Sequence, residues 1–147
     1  MSKPLLLVED NEDDVFFMRQ ALKKVGIQNP LHVVEDGQNA LDYLAGRGQF
    51  ADRTAHPLPF LVLLDLKLPY VPGLEVLQWI RERPELQTML VVVLTSSRED
   101  KDIDTAYRLG VNSYLVKPPT VDKLEEMTKA IGDYWFHRNQ PPSAVGV

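Results

Sequence analysis

A chain of 147 residues with 44% hydrophobic content has the size of one ordinary globular domain, able to bury about two-thirds of its unfolded surface and leaving no room for a second one. The formal net charge of -5, from 21 acidic against 16 basic residues, disfavours nonspecific attraction to nucleic acid or anionic lipid. Having no cysteine excludes disulfides, thiolate metal sites and cysteine nucleophiles, and the short apolar start from Met1 to Leu7 is neither signal peptide nor membrane span, so a soluble cytoplasmic protein is expected.

Leu5 to Val8 is a short apolar run that predicts a buried parallel strand. It leads straight into Glu9 and Asp10, followed by Asn11, Glu12, Asp13 and Asp14. Acids here have an ordinary use, capping a helix and complementing its positive end, and Asp13 and Asp14 are read that way. For Asp10 the same reading competes with a functional one. Val15, Met18, Leu22 and Val25 then recur at helical spacing, marking an amphipathic helix. Leu31 to Val34 reads as a second strand. Gly46 to Pro59, rich in glycine and proline, is too long for a tight connection and predicts an extended surface loop. The third strand, Phe60 to Leu64, ends directly on Asp65. A carboxylate closing an apolar strand is costly unless exposed or paired, although Asp65 ahead of Leu66-Lys67-Leu68-Pro69 also suits a turn.

The fourth strand, Leu90 to Leu94, runs into Thr95-Ser96-Ser97, and Ile103, Ala106 and Tyr107 mark the helix after it. Ser113 to Val116 is a fifth strand, closed by Lys117-Pro118-Pro119. Leu124, Met127, Ile131 and Tyr134 predict a last amphipathic helix, which ends the domain at residue 137. The proline-rich segment 138–147 has no periodicity and is expected to be a flexible tail.

Strands alternating with helices predict an open α/β sheet covered on both faces, with right-handed crossovers and its ligand crevice at the carboxyl ends of the strands. If the first and third strands are neighbours, Glu9, Asp10 and Asp65 converge. Three carboxylates repel one another unless protonated or neutralised, and an oxygen-only set suits hydrated Mg²⁺. Taken singly, Thr95 reads as a cap or turn residue and Lys117 as a solvated charge. Together with a cation they can surround the terminal oxygens of a phosphoryl group, with Asp65 as the nucleophile.

In order along the chain, Val8-Glu9-Asp10, Leu64-Asp65-Leu66-Lys67-Leu68-Pro69 with Pro72-Gly73, Leu94-Thr95-Ser96 and Tyr114-Leu115-Val116-Lys117-Pro118 resemble the receiver domains of two-component response regulators. The resemblance runs from Leu5 to about Trp135. It implies a flavodoxin-like (βα)5 fold, doubly wound around a parallel five-stranded sheet of order 2-1-3-4-5. It also implies that Asp65 accepts a phosphoryl group from a histidine kinase. Mg²⁺ is held by Asp10, Asp65 and the main-chain carbonyl of Lys67, with Glu9 acting through water. Thr95 and Tyr114 are the implied switch pair, Lys117 the ion-pair partner of the phosphoryl oxygens, and the Lys117-Pro118 bond is expected to be cis. Output goes to a downstream protein target or a phosphotransfer protein rather than to nucleic acid or membrane. Only slow self-dephosphorylation is expected, not enzymatic turnover.

Two positions depart from the commonest family pattern: Lys67, which bears on the lifetime of the phosphoryl group, and Pro119, which bears on how the last helix begins. The long loop before Phe60 and the aromatic run Tyr134-Trp135-Phe136 are similar to stand-alone receivers serving bacterial phytochromes. A homodimer through the face between the fourth and fifth helices is expected, since relatives often pair there. Two rivals remain. A haloacid-dehalogenase-type phosphatase also uses a strand-end aspartate, Mg²⁺, a threonine and a lysine, but needs a second acid where this chain has Lys67. A nucleotide or flavin module needs a glycine-rich turn where this chain has Glu-Asp-Asn-Glu-Asp-Asp.

Overall fold

The structure is a computed structural model and describes residues 3–143. Five short strands, β1 (Leu5–Val8), β2 (Leu31–Val34), β3 (Leu61–Leu64), β4 (Leu90–Thr95) and β5 (Ser113–Val116), alternate with five helices. These are α1 (Glu12–Lys24), α2 (Gly37–Ala45), α3 (Gly73–Glu82), α4 (Asp100–Arg108) and α5 (Val121–His137). All strand pairs are parallel and the order is β2-β1-β3-β4-β5, as the family resemblance implies.

Alternation along each strand divides the core in two. Leu6, Val8, Val62 and Leu64 face the layer built by α2, α3 and α4, with Tyr43, Val76, Leu77, Ile80 and Ala106. Leu5, Leu7, Leu61 and Leu63 face α1 and α5, against Met18, Leu22, Ile131 and Trp135. Because both faces are covered, β1, β3 and β4 are apolar at nearly every position and wholly buried.

Three sequence expectations need correction. Tyr107 and Tyr134, placed on the buried stripes of their helices, are about half exposed, at 51% and 52%. Ala106 and Trp135 carry the packing instead, since Thr128, Ile131 and Trp135 follow the helical period more closely than a stripe ending at Tyr134. The segment from Gly46 to Pro59 is folded onto the domain rather than extended. It contains a short 3₁₀ turn (Gly48–Phe50) that buries Phe50, and Arg53 donates to the carbonyl oxygens of Tyr43, Leu44 and His56. The predicted tail beyond α5 lies partly outside the described residues.

Candidate functional site

The strand order decides where the polar residues meet. With β1 flanked by β2 and β3 in register Val8 to Leu64, the residues following these two strands leave the sheet side by side. Glu9 and Asp65 are buried, Asp10 is exposed, and one carboxylate oxygen from each lies within 4.8 Å of the others. Behind Asp65, α3 begins so close that a Cβ on Gly73 would sit 2.2 Å from the Asp65 carbonyl oxygen. Only glycine lets the helix start against this strand end.

Asp65 is a fully engaged carboxylate. Thr95, wholly buried at the end of β4, donates its Oγ1 hydrogen to Asp65 Oδ1 at 2.7 Å. The Lys67 amide donates to the same oxygen at 3.2 Å, and Lys117 Nζ donates to Oδ2 at 3.0 Å. Burial pushes the Asp65 carboxyl up, but the Thr95 hydrogen bond and the Lys117 ammonium outweigh it, and the group is held below the usual carboxylate value.

Lys117 reaches beyond Asp65. Its Nζ lies 2.6 Å from Glu9 Oε1 and 2.7 Å from Asp14 Oδ2. Burial alone would lower the lysine; the bonds to Asp14 and Glu9 reverse this and raise it. Glu9 is also bonded by the Asn11 amide at 3.1 Å, yet burial and the neighbouring Asp65 charge push it up to about 7. With one ammonium shared among three acids, Asp65 keeps the negative charge and Glu9 is the member driven towards neutrality.

Glu9, Asp10, Asp65, Thr95 and Lys117 come together as the strand ends predict. Lys67 is exposed and adjoins the site through its amide. Tyr114 is half-buried and donates its hydroxyl to the Ser97 carbonyl oxygen at 3.1 Å rather than to Asp65, and burial raises it. The expectation of a cis Lys117-Pro118 bond is overturned: no cis peptide occurs among the described residues. The trans form is the lower-energy default, and the long lysine side chain spans to Asp65 from it.

Asp14 is the residue the sequence reading missed. Helix α1 is capped by Asn11, whose side chain accepts from the Asp14 amide at 3.0 Å, leaving the Asp14 carboxylate free for Lys117. A signal was present: Asp14 stands four residues before Met18 and eight before Leu22, at the head of the face that α1 buries.

The acid cluster fits a hard divalent cation, since its donors are all oxygen and its two buried members, Glu9 and Asp65, share a single ammonium. Residues 5–129 match the family described as the response regulator receiver domain. The chain belongs to this family. Among the receiver's relatives, the probable methanogenesis regulatory protein FilR2 of Methanothrix harundinacea is 39% identical over 138 residues, spanning 94% of this chain and 86% of the relative. Response regulator Rcp1 of Synechocystis is 37% identical over 142 residues, spanning 97% and 95%. The solved Mn(2+)-bound form of Rcp1 superposes with a TM-score of 0.86, at 36% identity, over 96% of this chain and 99% of that one. The phosphorylated cyanobacterial phytochrome response regulator RcpA superposes with a TM-score of 0.90, at 36% identity, over 97% and 100%. Receiver domains are signalling domains, and among the described residues no helix is long and apolar enough to cross a membrane.

Proposed function

We propose that this receiver accepts a phosphoryl group on Asp65 from the phosphohistidine of a histidine kinase and thereby switches a protein-binding surface. One observation carries the reading. A buried strand-end carboxylate is met by a hydroxyl, an ammonium and a backbone amide, beside an acid cluster suited to a divalent cation. Phosphoryl transfer asks for positioning and charge neutralisation, and these groups supply both.

In the step itself an Asp65 oxygen forms a bond to phosphorus as the phosphorus–nitrogen bond of phosphohistidine breaks, and the departing imidazole keeps the electron pair. Asp65 is suited to attack because it stays ionised at neutral pH. Glu9, Asp10, Asp65 and the main-chain carbonyl of Lys67 would hold Mg²⁺, which neutralises charge on the phosphoryl oxygens. Lys117 meets a further oxygen as an ion pair. Thr95, now spent on Asp65 Oδ1, turns its hydrogen bond to the phosphoryl group. That movement draws on Tyr114, whose hydroxyl bond to Ser97 ties β5 to the segment leading into α4. The surface around α4, β5 and α5 is the output, read by a downstream protein or phosphotransfer partner.

The phytochrome link in the name of RcpA, together with its TM-score of 0.90, supports a bacterial phytochrome as the kinase. The rival phosphatase reading finds an exposed lysine at position 67, where it requires an acid. Incubation with acetyl phosphate and Mg²⁺ is expected to add one phosphoryl group to the wild type and none to Asp65→Asn. Equal labelling of the variant, or repeated turnover of a small phosphomonoester, would overturn the proposal.

A further inference from the structure

The Lys117 ammonium has three hydrogens to donate, and three carboxylates take them: Glu9 at 2.6 Å, Asp14 at 2.7 Å and Asp65 at 3.0 Å. The three acceptors have different obligations. Glu9 and Asp65 belong to the acid cluster suited to a cation, and Asp65 is also the residue read as the phosphoryl acceptor. Asp14 belongs to neither. Its side chain is 40% exposed, against 3% and 6% for the other two, so it carries its charge at little desolvation cost. It is also well anchored, because its amide is fixed by the Asn11 cap in the first turn of α1.

We propose that Asp14 is a positioning residue for phosphoryl transfer, holding the Lys117 ammonium over Asp65 so that an N–H is already aimed when phosphoryl oxygens arrive. The claim rests on the reading of Asp65 as the acceptor. Lysine carries its charge on a flexible four-carbon stem, and an ammonium fixed from one side only is free to swing towards solvent. Once a cation compensates Glu9 and Asp65, Asp14 is the carboxylate of the three whose charge still faces Lys117 uncompensated. The placement of Asp14 on a helix rather than a loop gives that hold its precision.

The test compares Asp14→Ala and Asp14→Asn with wild type. Phosphorylation by acetyl phosphate in Mg²⁺ is expected to slow by about three- to tenfold in Asp14→Ala, the scale of one partly exposed charge-assisted hydrogen bond. Asp14→Asn, which keeps an acceptor oxygen and guards against misfolding of the alanine variant, is expected to recover a large part of that rate. A second readout is independent of phosphorylation: in the metal-free chain, the Lys117 ammonium hydrogens seen by nitrogen-15 NMR exchange with water several times faster in Asp14→Ala. A rate that is unchanged or higher in Asp14→Ala overturns the proposal, and so does an ammonium signal indifferent to the substitution. Asp65→Asn, run alongside, separates the two ideas. If that variant is labelled as readily as wild type, the acceptor reading has failed and the positioning claim falls with it, whatever the ammonium signal shows.

Discussion

At Glu9 desolvation and ion pairing oppose each other, and desolvation wins. The carboxyl is 3% exposed and holds its proton up to about 7, although Lys117 lies 2.6 Å away, because the same ammonium also serves Asp14 and Asp65. An unfolded glutamate titrates near 4.5, so between that value and about 7 the folded chain binds more protons than the unfolded one. The contribution of Glu9 to stability is therefore complete below 4.5 and lost as pH rises through about 7. Asp65 runs the other way. Held below its ordinary 3.8, it contributes stability above that value and loses it as pH falls through the folded one. In metal-free protein, Glu9→Gln is predicted to raise stability against denaturant at about pH 8 by roughly 1–3 kcal/mol, a gain that vanishes by about pH 4. Chemical denaturation at the two pH values in the presence of a chelator checks it, and a variant weaker than wild type at the higher pH would contradict it. At this scale the sequence is legible wherever a polar residue interrupts an apolar strand, which is why Asp65, Thr95 and Lys117 stand out. Asp14 was hidden because an acid in a first helical turn has a common use as a cap, and only the inward face it shares with Met18 distinguishes it.

Among the elements, strands are legible almost to the residue because each is a short apolar run closed by a polar residue or a turn. Helix faces are less legible, since one residue of phase error exchanges Trp135 for Tyr134. The 46–59 segment is not legible for a different reason: its order comes from side-chain bonds back to the end of α2 and within the segment that composition does not reveal. The Arg53 guanidinium bonds the Tyr43 carbonyl at 2.8 Å, that of Leu44 at 2.8 Å and that of His56 at 3.1 Å, while Tyr43 donates its hydroxyl to the Pro57 carbonyl at 2.9 Å. His56 meets the Tyr43 and Phe50 rings edge to face, and these two rings pack tilted against each other. Arg53→Ala is predicted to cost about 1–3 kcal/mol and to open the segment to proteolysis. On the proposed acceptor role of Asp65, labelling by acetyl phosphate should keep its wild-type rate, because this segment leads into the start of β3 whereas Asp65 follows its end. Thermal melts, limited proteolysis and acetyl phosphate labelling together distinguish that outcome from a loop that serves the site.

For the molecule as a whole, the site is a deliberate electrostatic burden placed where the sheet can bear it. Three carboxylates, Glu9, Asp14 and Asp65, share one ammonium and Asp10 completes the acid cluster beside them, a local surplus of acid over base that favours a cation and disfavours the metal-free fold. The apolar core on both sides of β1, β3 and β4 supplies the stability that this arrangement spends. A cation held by this cluster, as proposed, would couple to folding through the same side chains: a ligand bound only by the folded state stabilises it by about 2.7 kcal/mol at a hundredfold excess over its Kd. Because Glu9 holds its proton up to about 7, the cation must displace that proton at lower pH, and its benefit should shrink there. Mg²⁺ is thus predicted to raise the melting temperature by several degrees at about pH 8, and by clearly less at about pH 5. Asp10→Asn should erase most of the increment at both pH values, since Asp10 is the exposed member of the cluster and makes no bond to Lys117 that its loss would disturb. Calorimetry with and without Mg²⁺ reads all four conditions, and an increment that is the same at both pH values, or that survives Asp10→Asn intact, would separate the acid cluster from cation binding.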